Sequence, residues 1–177
     1  MTTNFEKVVD FNVKFGVPVF EKPFVDIFDK NPKLLELRMN LIREEMKELE
    51  TAVKSKDYIE MVDALSDILY VVYGAGASIG MNLDKAFQLV HDSNMSKLCK
   101  NEEEAKKTVE YYKEKYLSGE LPYDSAAYRL SEDKKYYVVF NKNTGKILKS
   151  INYNMVDLKP LVNIADNTAN VGNATKN

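Results

Sequence analysis

The sequence predicts an all-α fold, a bundle of four or five helices with a small β-hairpin appended near the C-terminus. Three observations predict it. Apolar residues recur at helical spacing from residue 5 to about residue 95, capping and turn residues fall at the breaks between those runs, and β-forming residues flank a polar turn only after Gly119. At 177 residues the chain can bury a core of its own without disulfide staples. Hydrophobic residues make up 45% and charged residues 29%, which excludes wholesale disorder and a fibrous architecture.

Phe5, Val8, Val9, Phe11 and Phe15 give a first helix over residues 5–15, closed by Gly16-Val17-Pro18. Residues 17–32 hold Pro18, Pro23 and Pro32 among Phe20, Phe24 and Phe28, so they read as an irregular connector pinned by its aromatics. A long helix follows over 33–54, with Asn31 or Asp29 as cap and Pro32 near its first turn. The pattern breaks at Ser55-Lys56 and resumes over 57–79, where Ile68, Leu69, Val71 and Val72 make the helix apolar on nearly every side. Such a helix is expected to be buried. Gly80 to Asp84 reads as a C-cap glycine and a new N-cap, opening a helix near 83–95. Residues 101–117 start with acids and finish with lysines, as the macrodipole favours, and predict a surface helix. Tyr136–Phe140 and Lys146–Ser150 on either side of Asn141–Gly145 predict the hairpin, and the small polar residues from Ala165 predict a frayed tail. The expected organisation is a helical domain over 1–118, an extension over 119–164 with its hairpin at about 136–150, and a disordered tail over 165–177.

A formal charge of -2 and a pI near 5.6 give no general attraction to a nucleic-acid polymer or an anionic membrane. Cys99 is the only cysteine, so neither an intramolecular disulfide nor a thiolate zinc site can form. The N-terminal residues lack the basic start and apolar run of a secretory signal, and no uncharged stretch of 18 residues exists. A soluble, cytoplasmic protein is expected. No Gly-rich phosphate loop is present, so any phosphate binding must come from elsewhere.

The acidic residues supply a candidate. Around Glu44, residues Leu37, Glu48, Leu41, Leu34, Glu45, Arg38, Leu49 and Ile42 fall within one arc of roughly 160°, which places three carboxylates among the core-facing residues. On the next helix Glu60, Asp63, Val71 and Gly74 lie within about 40° of Asp67, so Asp63 and Asp67 stack one turn apart. A Glu-Glu-x-x-Glu motif alone is as often a solvated face as a site; two acidic sets on apolar arcs of adjacent helices are harder to explain that way. Burying so many like charges requires protonation, basic partners or metal, and Arg38 cannot neutralise them all. Hard oxygen donors, with His91 as the sole imidazole, point to Mg²⁺ or Mn²⁺ and away from zinc. A di-iron carboxylate bundle would need two Glu-x-x-His pairs, which one histidine cannot supply.

LIREEMKELETAV followed by EMVDALSDILYVVYGAGASIGMNLDKAFQLVHDSNMSKL resembles the all-α NTP pyrophosphohydrolase superfamily: MazG-like proteins, dimeric dUTP diphosphatases and phosphoribosyl-ATP pyrophosphohydrolases. The resemblance covers about residues 5–98. It implies a Mg²⁺-dependent hydrolysis of a nucleoside triphosphate to the monophosphate and pyrophosphate, with dUTP or a damaged nucleotide as substrate, and a homodimer or tetramer. By position Glu44, Glu45, Glu48 and Asp67 match its metal ligands, and Glu45 is the expected residue to orient or deprotonate the attacking water. Where the superfamily usually has Glu three residues before the final Asp, this chain has Ala64; Asp63 or Glu60 is the substitute. Asn94 and Lys97 match an Asn-x-x-Lys expected to contact phosphate and sugar, although a lysine ending a helix also suits the dipole. Arg38 is expected either to pair with Glu45 or to reach phosphate. Tyr70 and Tyr73 have the shape to stack on a base, but aromatics in a buried helix are more often core. Two rivals stand beside this reading: phosphoribosyl-ATP hydrolysis, ranked lower because the YVVYG run lacks the Tyr-His pair of that branch, and a catalytically silent nucleotide sensor that lost a ligand at Ala64.

Overall fold

The computed structural model describes residues 1–162; the tail expected over 165–177 lies outside the described residues. The helices are α1 (Asn4–Lys14), α2 (Ile27–Lys30), α3 (Pro32–Ser55), α4 (Tyr58–Ser78), α5 (Leu83–Met95), α6 (Glu102–Leu117) and α7 (Lys159–Val162), with strands β1 (Ala126–Leu130) and β2 (Tyr137–Asn141) after α6. Two compact units result, residues 1–87 with 158–162 and residues 88–157, and the division falls inside α5. No single helix among the described residues is long and apolar enough to cross a membrane.

In the first unit the local signals act as their chemistry dictates. Thr3 and Glu6 close a reciprocal capping box on α1, and the Asn31 side chain accepts from the Leu34 amide at the start of α3. Lys56 ends α3 in the left-handed region at φ 60°, and the Asp57 carboxylate then accepts from the amides of Ile59 and Glu60 to start α4. A two-residue link therefore folds α4 back along α3. The connector over 17–32 contains one helical turn, α2, and its backbone is strapped to the end of α4: Phe20 N–H donates to the Ala77 carbonyl and Phe24 N–H to the Ile79 carbonyl, both at 3.0 Å.

α4 is not buried on all sides. Its enclosed positions are Ala64, Gly74, Gly76, Ala77 and Ser78, whereas Val62, Leu65 and Leu69 are exposed, Leu69 by 57%. Helices α1 and α3 cover only part of its circumference, and the apolar remainder faces outward.

The second unit has its own core of Cys99, Ala105, Tyr112, Val139 and Leu148. α6 is thus more than a surface helix, since one of its faces, including Thr108, is fully enclosed. The hairpin differs from the expected one. β2 pairs antiparallel with β1 in the register Ala126↔Asn141 to Leu130↔Tyr137, and the connection is 131–136. The expected pairing with 146–150 forms over its first half: Phe140 and Ile147 bridge, and Asn141 N–H donates to the Lys146 carbonyl and Leu148 N–H to the Val139 carbonyl, both at 2.9 Å. Beyond it the backbone donors turn to α6: Lys149 N–H donates to the Tyr112 hydroxyl and Ile151 N–H to the Thr108 hydroxyl. Ser150, buried, donates to the carboxylate of Glu104. From Lys149 onward a polar lock with α6 takes the place of the ladder.

Gly80 sits at φ 72°, and a Cβ there would lie 1.9 Å from the Lys22 carbonyl oxygen, which is backbone and cannot move aside. Gly16 has a similar φ of 68° with nothing within 4 Å. Urea denaturation should therefore show Gly80→Ala losing about 3 kcal/mol or more, against about 1–2 kcal/mol for Gly16→Ala, which carries the backbone penalty alone.

Candidate active site

The seam between α3 and α4 runs through Leu34, Arg38, Glu45 and Ala52, spaced four and seven residues apart so that they share one side of α3. Ala52 and Ala64 are both buried, and these small side chains let the two helices approach near the turn that joins them. Gly74 does the same at the other end, where Arg38 Nη1 lies 3.4 Å from the position a Cβ would take. The antiparallel pairing sets Glu45 against Asp67 and Asp63.

Glu45 is half-buried, and its Oε2 is enclosed without a hydrogen-bond partner among the described residues. Desolvation pushes its pKa up, and the charges of Glu48, Asp67, Glu44 and Asp63 push it further in the same direction. Those four carboxylates and Glu45 thus form one cluster contributed by both helices.

The burial inferred from helical phase is corrected in part. Glu44, Glu48, Glu60, Asp63 and Asp67 are exposed, and only Glu45 is drawn into the seam. Alanines occupy the line of closest approach, so the remaining acids stand along its edge. Among the described residues no three acids, histidines or cysteines converge closely enough to clasp one ion in this side-chain arrangement. Glu60 is in the first turn of α4 and is not among the four charges acting most strongly on Glu45.

The other sequence candidates separate. Arg38 is buried and makes no ion pair with Glu45, which stands two helical turns away on the same helix. Tyr70 is 39% exposed and meets Phe11 edge-on at 5.5 Å between ring centroids, while Tyr73 meets Phe5 at 6.1 Å. Lys97 donates to the Asn94 side chain at 2.7 Å; this pair and the exposed His91 belong to the second unit. Sequence reasoning missed Asn12, which is buried on α1 with Nδ2 unpartnered among the described residues. Its spacing of four from Val8 and seven from Phe5 on the buried stripe was the available signal.

Comparison with known proteins bears on this geometry. The family model for phosphoribosyl-ATP pyrophosphohydrolase matches residues 10–94, the span from α1 through most of α5. An uncharacterized protein, L479, of Acanthamoeba polyphaga mimivirus is 31% identical over an alignment of 245 positions that covers 90% of this chain and 96% of that one. The chain belongs to the all-α NTP pyrophosphohydrolase superfamily. The likeness to the mimivirus protein extends past the matched span into the second unit. Against the superfamily pattern Ala64 stands out, because it is 3% exposed and lies in the seam itself, where a carboxylate would be dry. Asp63, one residue earlier, is turned to the acidic edge and bears on Glu45.

The raised pKa of Glu45 has a defined sign in the metal-free protein. The folded state holds a proton that the unfolded chain releases near the ordinary glutamate value of about 4.3, so this group lowers stability as pH rises from there through its folded pKa. Glu45→Gln should be more stable than wild type at pH 7 in chelator, with the difference vanishing toward acid; urea melts at stepped pH measure it, and a less stable variant at pH 7 would contradict the assignment.

Proposed function

We propose that the chain is a Mg²⁺-dependent nucleoside triphosphate pyrophosphohydrolase, cutting a (d)NTP to the monophosphate and pyrophosphate, with dUTP or a non-standard nucleotide as substrate. The observation that carries this is the orphaned carboxylate oxygen of Glu45 amid four carboxylates from α3 and α4, in a chain of a pyrophosphohydrolase superfamily. Uncompensated, such a concentration of like charge is unfavourable; hard oxygen donors in this number suit Mg²⁺, or Mn²⁺, which neutralises them.

In this reading Glu44, Glu45, Glu48, Asp63 and Asp67 would hold the cation once the exposed side chains turn toward Glu45, with Glu60 in the first turn of α4 in reserve. A bound divalent ion supplies neutralisation of phosphate charge and a lowered pKa for water. Glu45 orients the attacking water and takes its proton, since its Oε2 is the one oxygen of these acids that is enclosed with no hydrogen-bond partner among the described residues. Within this unit Arg38 and Tyr70 are the candidates for substrate contact.

Phosphoribosyl-ATP is the second reading, favoured by the family model that matches residues 10–94. The scissile linkage and the acids required are the same; only the nucleotide differs.

The outward apolar face of the helical pair, Met46 and Val53 on α3 with Val62, Leu65 and Leu69 on α4, supports a homodimer. Paired Leu65→Asp and Leu69→Asp substitutions should shift the protein to a monomer in size-exclusion chromatography with light scattering.

A panel of dNTPs and phosphoribosyl-ATP, assayed for magnesium-dependent pyrophosphate release, tests the activity. Glu48→Gln and Asp67→Asn should each lower kcat/KM by more than the ~10- to 100-fold that even outer-shell changes cost at metal sites. Undiminished turnover in both would remove the acids from the mechanism, and nucleotide binding without any turnover would make the protein a sensor.

A further inference from the structure

Two turns along α3 from Glu45, Arg38 is only 8% exposed, and neither its Nε nor its Nη2 has a hydrogen-bond partner among the described residues. Asn12 on α1 is 3% exposed, and its Nδ2 is also without a partner there. Gly74 relates the two. A Cβ at that position would lie 3.4 Å from Arg38 Nη1 and 3.8 Å from Val8 Cγ1, and Val8 precedes Asn12 by one turn on the buried stripe of α1. α1 runs antiparallel to α4, since Phe5 meets Tyr73 and Phe11 meets Tyr70, so Asn12 is displaced from Gly74 toward Asp67. Arg38 and Val8 thus meet over one point of α4.

Every unpartnered atom in this corner is an N–H donor, and no carboxylate stands within ion-pair distance of Arg38 among the described residues. A guanidinium cannot shed its charge to relieve burial, so an enclosed, unpaired one is costly and calls for an anion. Its planar fork suits two oxygens of one phosphate.

We propose that Asn12 and Arg38 form an oxyanion-receiving pocket that binds a phosphate group of a polyphosphate lying along the α3–α4 seam, about 10 Å from Glu45 by helical rise. The assignment of that phosphate to the substrate rests on the pyrophosphohydrolase reading. The pocket itself rests on the donors alone. It divides the seam into an acidic end that needs a cation and a donor end that needs none, and it makes a chain of phosphates, longer than a single phosphate, the preferred ligand.

Thermal unfolding of the full chain titrated with inorganic tripolyphosphate in magnesium tests this. Wild type should be stabilised by tripolyphosphate more than by orthophosphate. Arg38→Met, which fills the same space without charge, should unfold at a higher temperature than wild type when ligand-free, and should need at least tenfold more tripolyphosphate for the same shift. Asn12→Ala and Arg38→Lys should show weaker losses of the same kind, and they carry the test if Arg38→Met does not fold. Absence of tripolyphosphate binding by wild type, or an undiminished response in the folded Arg38 and Asn12 variants, overturns the proposal. Arg38-dependent binding in a protein that turns over no nucleotide keeps the pocket and rejects the hydrolase; turnover with unchanged KM in the variants does the reverse.

Discussion

The close antiparallel approach of α3 and α4 is the constraint on which the rest depends. It is set by small side chains at Ala52, Ala64 and Gly74 and by the left-handed turn at Lys56. Packing holds the helices together against the mutual repulsion of the acids they carry. Apolar burial and a short link can offset like-charge repulsion at a partly solvated edge, where the effective dielectric is high, far more readily than in a dry core. That explains why four of the acids stand at the rim while Glu45 alone enters the seam.

Much of this was legible in the residues. Helical spacing placed the long helices within a residue or two, because their caps carry explicit chemistry: Asn31 before Pro32, Asp57 before Tyr58 and Gly80 after Ile79. Helical phase also put Glu44, Glu45, Glu48, Asp63 and Asp67 on neighbouring edges. Phase could not say how far inward each acid reaches, since that depends on which small residues occupy the line of contact. Nor could it say that α4 has an uncovered side, because an all-round apolar helix looks the same whether its cover comes from its own chain or from elsewhere.

The strand error has a similar origin. Ala126-Ala127-Tyr128-Arg129-Leu130 has little intrinsic preference for extended structure, whereas Lys146–Ser150 follows a good turn and contains Ile147 and Leu148. The outcome was decided by partners distant in sequence. The hydroxyls of Tyr112 and Thr108 and the carboxylate of Glu104 take the donors of residues 149–151, and local propensity carries no record of such contacts.

The placement of β2 has one more consequence. A two-stranded ribbon usually presents outer edges of free amides and carbonyls that a neighbouring molecule can extend into a continuous sheet. On β2 that rim is already occupied at both ends, by Cys99 opposite Tyr137 and by Ile147 opposite Phe140, each through a short bridge from a separate segment. These two clips leave little room on β2 for a foreign strand to dock, so the unit carries its own protection against fibre-like stacking along that border.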